Sequence, residues 1–148
     1  MELSKEETYT SWNRQFTFKE ASSFNKNALK MQRKNNGLAL LLIKGKELVG
    51  KADLRLREGR QDHIGDLGIF IKKEYRGVGF GSILMESILV SSKKYLMNLR
   101  IISLGVYEEN TGAIKLYKKF GVTQYGKLPS AYFMRGKYKN SIAMYIKV

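Results

Sequence analysis

The sequence predicts an α+β domain in which a mixed, mostly antiparallel central sheet is flanked by helices. Three patterns predict it: an alternating apolar hairpin in the first half, two segments with apolar residues at helical spacing after it, and an extended tail. The 148 residues fit a single domain, residues 1–148. Hydrophobic residues make up 43% of the chain, which suffices for a core.

The first half of the chain predicts helices followed by an antiparallel hairpin. Residues 1–36 alternate between polar and aromatic stretches and end just before a glycine, which predicts one or two short helices. Residues 38–44 are apolar and predict a buried strand. After a short turn, residues 48–56 alternate between apolar and polar side chains, as a half-buried strand does. A polar loop then leads into a third strand that ends with residues 67–71.

The second half predicts helices alternating with strands. Apolar residues recur at helical spacing over residues 79–98, which predicts a long amphipathic helix. Residues 100–106 are rich in isoleucine and predict a strand, and residues 111–120 predict a second helix that stops at a glycine. The tail predicts two extended segments, residues 131–134 and 142–148, joined by a turn.

Composition argues against several classes of protein. Without cysteine the chain forms no disulfide, holds no cysteine-ligated metal and has no thiol nucleophile. The single histidine, His63, argues against a multi-histidine metal site, so we expect no metal. The longest apolar run, residues 38–43, is too short for a membrane span, and the N-terminus shows no secretory signal. We therefore expect a metal-free cytoplasmic protein without a membrane partner.

The charge balance is strongly basic: 27 lysines and arginines against 13 acidic residues give a formal net charge of +14. Such an excess attracts polyanions, whether nucleic acid, acidic lipid or a phosphorylated cofactor. The basic residues are spread from Lys5 to Lys147 without a long block, which is typical of solvated surfaces. Nucleic acid is therefore a less favoured partner, and charge alone does not identify the ligand.

Residues 75–82 form a glycine-rich segment between a predicted strand and the long predicted helix. Three alternating glycines allow the backbone to turn sharply and to approach a ligand closely. The helix start adds unpaired N–H groups and the positive end of its dipole, and Arg76 adds charge. The segment therefore suits a phosphate or pyrophosphate better than a bare turn. Its Gly-x-Gly-x-Gly spacing matches neither the dinucleotide-binding fingerprint nor a nucleotide P-loop.

Two motifs stand one helix and one strand apart in this chain. The first is residues 76–81, Arg-Gly-Val-Gly-Phe-Gly, and the second is residues 110–121, which follow the frame Asn-x-x-Ala-x-x-Leu-Tyr-x-x-x-Gly. Together they resemble the signatures of the GNAT superfamily of acetyl-CoA-dependent N-acetyltransferases, and the resemblance covers residues 37–148. It implies the GNAT-like acyltransferase fold and acetyl-CoA as co-substrate.

The resemblance also implies a role for each matching residue. The end of the third strand would lend backbone groups to the pantetheine arm, the amides of residues 76–82 would hold the pyrophosphate, and Asn110 would contact the pantetheine. Tyr117 would protonate the departing CoA thiolate, which suits a phenol with an ordinary pKa near 10. Because no cysteine can form an acetyl-enzyme, we expect direct attack in a ternary complex. The implied cofactor-binding residues are Ile69, Phe70, Ile71, Arg76, Gly77, Val78, Gly79, Phe80, Gly81, Ser82, Asn110 and Tyr117.

The general base is less well defined by the resemblance. Many relatives keep a carboxylate just before the cofactor strand, where it deprotonates the amine through water, and Asp66 stands there. An exposed structural acid is an equally weighted alternative for Asp66. His63 fits a loop histidine better than a base. Relatives that acetylate protein N-termini have a glutamate where this chain has Gly105, while Glu108 and Glu109 precede a helix and suit its dipole.

The beginning of the chain departs from the family pattern. Residues 1–5 carry too little apolar sequence for the short strand with which the family opens, so we expect that strand to be missing or replaced. In the family the first helices usually wall the acceptor site. Tyr9, Trp12 and Phe16 either line that site or pack in the core, and packing is favoured.

Three functions follow from these observations. The leading one is an N-acetyltransferase acting on a primary amine, carried by a small molecule or by a protein; the net charge disfavours polyamines unless Asp53, Glu58, Asp62 and Asp66 gather at the entry. The alternative is a basic module of the same fold that binds nucleic acid or ribosomes without catalysis. A third is a family member that binds CoA and transfers nothing. We expect a monomer or homodimer.

Overall fold

The computed structural model describes Lys34 and residues 36–148. In this part the chain forms six strands and two α-helices. The elements are β1 (Gly37–Lys44), β2 (Glu47–Leu56), β3 (Ile64–Ile71), α1 (Phe80–Tyr95), β4 (Ile101–Tyr107), α2 (Thr111–Lys119), β5 (Thr123–Met134) and β6 (Lys137–Lys147). Of the described helices, neither has the length and apolar character needed to cross a membrane.

The six strands form one mixed sheet in the order β1-β2-β3-β4-β6-β5. Every neighbouring pair is antiparallel except β3 and β4, which run parallel because α1 returns the chain between them. This arrangement confirms the predicted fold class. The predicted helices of residues 1–36 and the expected loss of the opening strand lie outside the described residues.

Strands β3 and β4 separate part-way along their length. Their pairing covers only Ile64–Asp66 against Ile101–Ser103, although β3 continues to Ile71 and β4 to Tyr107. Elsewhere in the sheet, the pairing of β2 with β3 continues as far as Ile71. The two diverging edges therefore leave a gap in the middle of the sheet, with backbone groups directed into it.

Helix α1 covers one face of this sheet and builds the core there. Its buried residues Leu84, Met85 and Ile88 belong to the same apolar cluster as Leu54 and Ile102 in the strands below. Fully burying one such side chain stabilises the fold by about 1.5–3 kcal/mol. Burial on this face fixes the positions of the strands around the gap.

The opposite face of the sheet is polar and aromatic, because alternate strand residues point away from α1. Arg57 of the segment after β2 and Asp66 of β3 form a bidentate ion pair there, with Arg57 Nη2 2.7 Å from Asp66 Oδ1. Further along the same face, the rings of Tyr107 and Tyr132 lie 4.4 Å apart. This face is therefore held by pairwise contacts between side chains of different strands.

Several element boundaries differ from the prediction, and the last strand begins at Lys137 rather than at residue 142. Helix α1 begins at Phe80 rather than Gly79, because Gly79 adopts the left-handed conformation with φ 97°, and it ends at Tyr95 rather than at residue 98. Strand β5 begins at Thr123, eight residues before the predicted extended segment. Its pairing with β6 is irregular around Ser130, which has φ 53°, and this irregularity hides the strand's alternation in the sequence.

Candidate active site

The glycine-rich segment forms a sharp turn into α1. Gly77 has φ 75° and Gly79 has φ 97°, conformations that residues with a Cβ rarely adopt, and a Cβ at either position would meet open space. No side chain caps the start of α1, whose first backbone bond runs from the Ile83 N–H to the Gly79 carbonyl at 3.1 Å. The amides of the first turn therefore point at open space and suit an anion.

Basic side chains surround this turn. Arg76 Nε donates a hydrogen bond to the Ile71 carbonyl at 2.9 Å, and the Arg76 guanidinium lies 5.9 Å from the centre of the Phe70 ring. Lys119 from the end of α2 donates to the Ser82 hydroxyl at 3.2 Å. These contacts connect the end of β3 and α2 to the first turn of α1, and they add positive charge beside its amides.

Helix α2 brings the second motif to the same place. The Asn110 side chain caps the helix, since its Oδ1 accepts a hydrogen bond from the Ala113 N–H at 3.2 Å. Helix and glycine turn pack closely: a Cβ on Gly81 would lie 3.0 Å from Leu116 Cδ2. The two sequence motifs are therefore neighbours in space.

A cavity of about 530 Å³ lies between these elements and the diverging end of β3. This volume is within the usual range for sites that take small molecules and cofactors. The residues that line it are Ile69, Phe70, Ile71, Arg76, Gly77, Gly79, Gly81, Ser82, Glu109, Asn110, Thr111, Gly112, Ala113, Leu116 and Tyr117. The cavity thus joins the anion-binding turn to the gap in the sheet.

Tyr117 lies deep in this cavity, with only 6% of its surface exposed. Burial raises the pKa of the Tyr117 phenol to about 12, because the charged phenolate is poorly solvated there. Among the described residues, none forms a hydrogen bond with its hydroxyl. The phenol is therefore protonated at neutral pH and its proton is available to a bound molecule.

The structure separates the predicted site residues into two groups. Ten of the twelve predicted cofactor-binding residues line the cavity. Val78 and Phe80 do not: Val78 is 68% exposed, and the Phe80 ring packs 6.0 Å from that of Tyr75. Asp66 also lies outside the lining, where it binds Arg57. Its assignment as the base stays a prediction.

Five residues that line the cavity were not predicted from the sequence. Glu109, Thr111, Gly112, Ala113 and Leu116 surround the start of α2 and belong to the second motif or adjoin it. A helical repeat predicts that Ala113 and Leu116 share one face with Tyr117. Glu109, Thr111 and Gly112 line the cavity because the start of α2 itself borders it, and no helical repeat identifies them.

The acidic residues at the end of β4 are both paired. Lys127 donates to Glu108 Oε1 and Asn140 donates to Glu108 Oε2 at 2.7 Å, so the pKa of Glu108 lies below its ordinary value. Lys139 forms an ion pair with Glu109 at 2.6 Å. Both carboxylates therefore connect the segment after β4 to the β5–β6 hairpin, and their interaction with the dipole of α2 stays a prediction.

Comparison with known proteins identifies the family. The sequence pattern of the acetyltransferase (GNAT) family matches residues 2–122. The chain belongs to this family. A solved GNAT acetyltransferase from Streptococcus pneumoniae superposes with a TM-score of 0.82 and 27% identity, covering 95% of this chain and 84% of that one.

Two curated GNAT relatives match part of the chain. Spermidine N(1)-acetyltransferase of Vibrio cholerae is 36% identical over 78 residues, which are 53% of this chain and 44% of the relative. L-amino acid N-acetyltransferase AaaT of Escherichia coli K12 is 31% identical over 85 residues, 57% of this chain and 52% of the relative. The chain thus spans about half the length of the curated relatives it matches.

A solved structure of the Vibrio cholerae spermidine N-acetyltransferase contains CoA and spermine. It superposes on this GNAT chain with a TM-score of 0.72 and 25% identity, over 93% of this chain and 78% of that one. The similarity therefore extends over nearly the whole length of the described sheet and helices.

Proposed function

We propose that this GNAT protein is an N-acetyltransferase that moves the acetyl group of acetyl-CoA to a primary amine. One observation carries the proposal: a single cavity connects the exposed amides at the start of α1, the free edge of β3 and the buried hydroxyl of Tyr117. These are the three groups that an acyl-CoA thioester needs, namely an anion site, backbone partners for its arm and an acid for its sulfur.

The residues present fit acetyl-CoA chemically. The amides of residues 77–82 would hold the pyrophosphate, with Arg76 and Lys119 adding positive charge, and the edge of Ile69–Ile71 would pair with the pantetheine amides as a further strand does. The CoA in the Vibrio cholerae relative supports this assignment. When bound, acetyl-CoA supplies the activated acetyl group; the chain supplies position and protons.

Tyr117 is the proposed general acid. Since burial raises its pKa to about 12, it holds its proton at neutral pH and can give it to the sulfur as the carbon–sulfur bond breaks. Because the chain has no cysteine, we propose that the amine attacks the thioester directly, without an acetyl-enzyme.

The proposed acceptor is a small molecule that carries a primary amine. Both curated relatives are named for small amines, spermidine and L-amino acids. Of the four acids that could have formed a negative entry, Asp66 is neutralised by Arg57. The structure therefore offers a polyamine less attraction than four free carboxylates would.

Calorimetry with acetyl-CoA tests the proposal, with ATP as the polyanion control at low and moderate salt. We expect acetyl-CoA binding to survive the added salt while ATP binding fades, because only the former uses the apolar cavity and the strand edge. An amine panel containing spermidine and amino acids then follows CoA thiol release. If added salt weakens the binding of acetyl-CoA and of ATP equally, and RNA binding is also salt-dependent, the result would instead support the basic nucleic-acid module.

A further inference from the structure

On the face opposite α1, glycines form the floor of the gap between β3 and β4, and the Ser141 and Tyr132 hydroxyls lie beside one of them, Gly105. Asp66 pairs with Ser103 where the strands part, so two residues further on Gly68 and Gly105 face each other across the opening. Both project to the same face as Asp66, since side chains alternate along a strand. Neither glycine carries a side chain into this space, and a bound thioester in the gap could be reached from there.

Asp53 of β2 lies over this floor. It pairs directly with Gly68, and a Cβ on Gly68 would find Asp53 Oδ1 at 3.4 Å and both Cγ and Oδ2 at 3.7 Å. All three atoms of the carboxyl group therefore lean across β3 toward the gap. Among the described residues, none donates a hydrogen bond to this carboxylate, in contrast to Asp66, which accepts three from Arg57.

The surroundings of Asp53 make it a stronger base than an exposed carboxylate. Burial raises its pKa above the ordinary value, and Lys51 and Arg55, its neighbours on the same face of β2, oppose that rise only partly. From β1 the residue opposite is Ala39, which carries no charge, and from β3 it is Gly68. A carboxylate that is incompletely solvated and lacks a donor binds a proton more readily.

We propose that Asp53 is the general base that takes a proton from the acceptor ammonium. This inference rests on the proposed acetyl transfer and replaces the ion-paired Asp66 in that role. A proton passes from the ammonium to Asp53 and on to solvent; the neutral nitrogen forms a bond to the thioester carbon, and the carbon–sulfur bond breaks. Tyr117 protonates the sulfur, and the second proton shed by the nitrogen restores Tyr117.

The variant Asp53→Asn tests this role, with Asp66→Asn as the matched control. Both remove one negative charge from the same face of the sheet, and neither residue lines the CoA cavity. The measurements are the affinity for CoA by calorimetry and kcat/KM for the best amine of the panel between about pH 6.5 and about pH 8.5, below an amine pKa of about 10.

We expect D53N to bind CoA as the wild type does and to lose roughly 100-fold in kcat/KM near neutral pH. Its remaining activity should rise about tenfold per pH unit, because the free amine alone now reacts. The wild type and D66N should share a flatter profile. A purely structural role for Asp53 would lower activity by the same factor at every pH.

Two results would overturn the inference. Activity of D53N within about twofold of wild type, or a D66N variant that shows the steep profile instead, removes Asp53 as the base. Failure of the proposed function gives a different result: the wild-type protein then acetylates no amine of the panel. In that case the proposed role of Asp53 fails as well.

Discussion

The two sides of the sheet gap are built in different ways. On the α1 side, most of the residues that line the cavity come from two short segments, 76–82 and 109–117, each at the start of a helix. On the opposite side, Asp53, Gly68 and Gly105 come from three strands, and sheet register alone pairs Asp53 with Gly68 and places Gly105 across the gap. The first side is fixed by local backbone conformation, and the second by long-range pairing.

In the proposed reaction, this difference separates the binding of the cofactor from the chemistry at the acceptor amine. A glycine turn and a helix cap form wherever their residues stand in the sequence, so the cofactor side carries a recognisable motif. On the acceptor side, the substitution of a single strand residue can change the side chains that face the amine, and neither motif is altered by it. Relatives that share the first side can therefore act on different amines, as the names of the two curated relatives illustrate.

Of the substitutions considered, the replacement of Tyr117 on the cofactor side should lower turnover the most. Tyr117→Phe keeps the ring that lines the cavity and removes the hydroxyl that is proposed to protonate the thiolate. We expect kcat to fall roughly 100-fold or more, with CoA affinity changed less than about twofold. Stopped assays of CoA release and calorimetry with CoA measure the two quantities.

The pH profile of the wild type supplies a second check on Tyr117. With a pKa of about 12, the phenol stays protonated through pH 10, so its ionisation should not lower kcat on the alkaline side of neutrality. Unchanged turnover in Y117F would remove Tyr117 as the acid. The α1 side of the gap would then contain residues that bind the cofactor and no assigned catalytic group.

An added methyl group at Gly79 should weaken the binding of the cofactor and leave the acceptor side of the gap unchanged. Gly79→Ala forces an L-residue to φ 97°, which costs about 1–2 kcal/mol, and its Cβ enters the space that the pyrophosphate is proposed to occupy. We expect CoA affinity to fall roughly tenfold, the equivalent of about 1.4 kcal/mol.

Gly45→Ala is the matched control for this change. Gly45 also has a positive φ, 64°, and open space around it, but it lies in the β1–β2 turn and does not line the cavity. Both variants should lose thermal stability, and only G79A should lose CoA affinity. Equal affinities in calorimetry would show that the turn does not contact the ligand.

The sequence predicts the cofactor side better than the acceptor side for the same physical reason. The helices, the glycine turn and the neighbouring positions of Asn110 and Tyr117 follow from local spacing. The partner of Asp66 does not, because Arg57 reaches it only when β2 and β3 pair in the observed register. The position of Asp53 over Gly68 depends on that same register, so no sequence pattern distinguishes the two aspartates.

The smallest expected effect concerns the floor of the gap on the acceptor side. In Gly105→Ala the new Cβ would lie 3.4 Å from Ser141 Oγ and 3.8 Å from Tyr132 Oη, ordinary contacts that the fold tolerates. We expect KM for the amine to rise about threefold to tenfold, since a methyl group then occupies space left for the acceptor, while CoA affinity stays constant.

Gly126→Ala in β5 controls for the general effect of alanine in this sheet. Its Cβ would lie 3.9 Å from that of Ala143, and its backbone is also free of positive φ. Both variants should be as stable as the wild type or more so, by about 0.4–1 kcal/mol, because alanine restricts the unfolded chain. A rise in KM for G105A alone places the amine beside Gly105. Equal KM values in the two variants mean that the acceptor reaches the gap from elsewhere, and the division between a cofactor side and an acceptor side then fails.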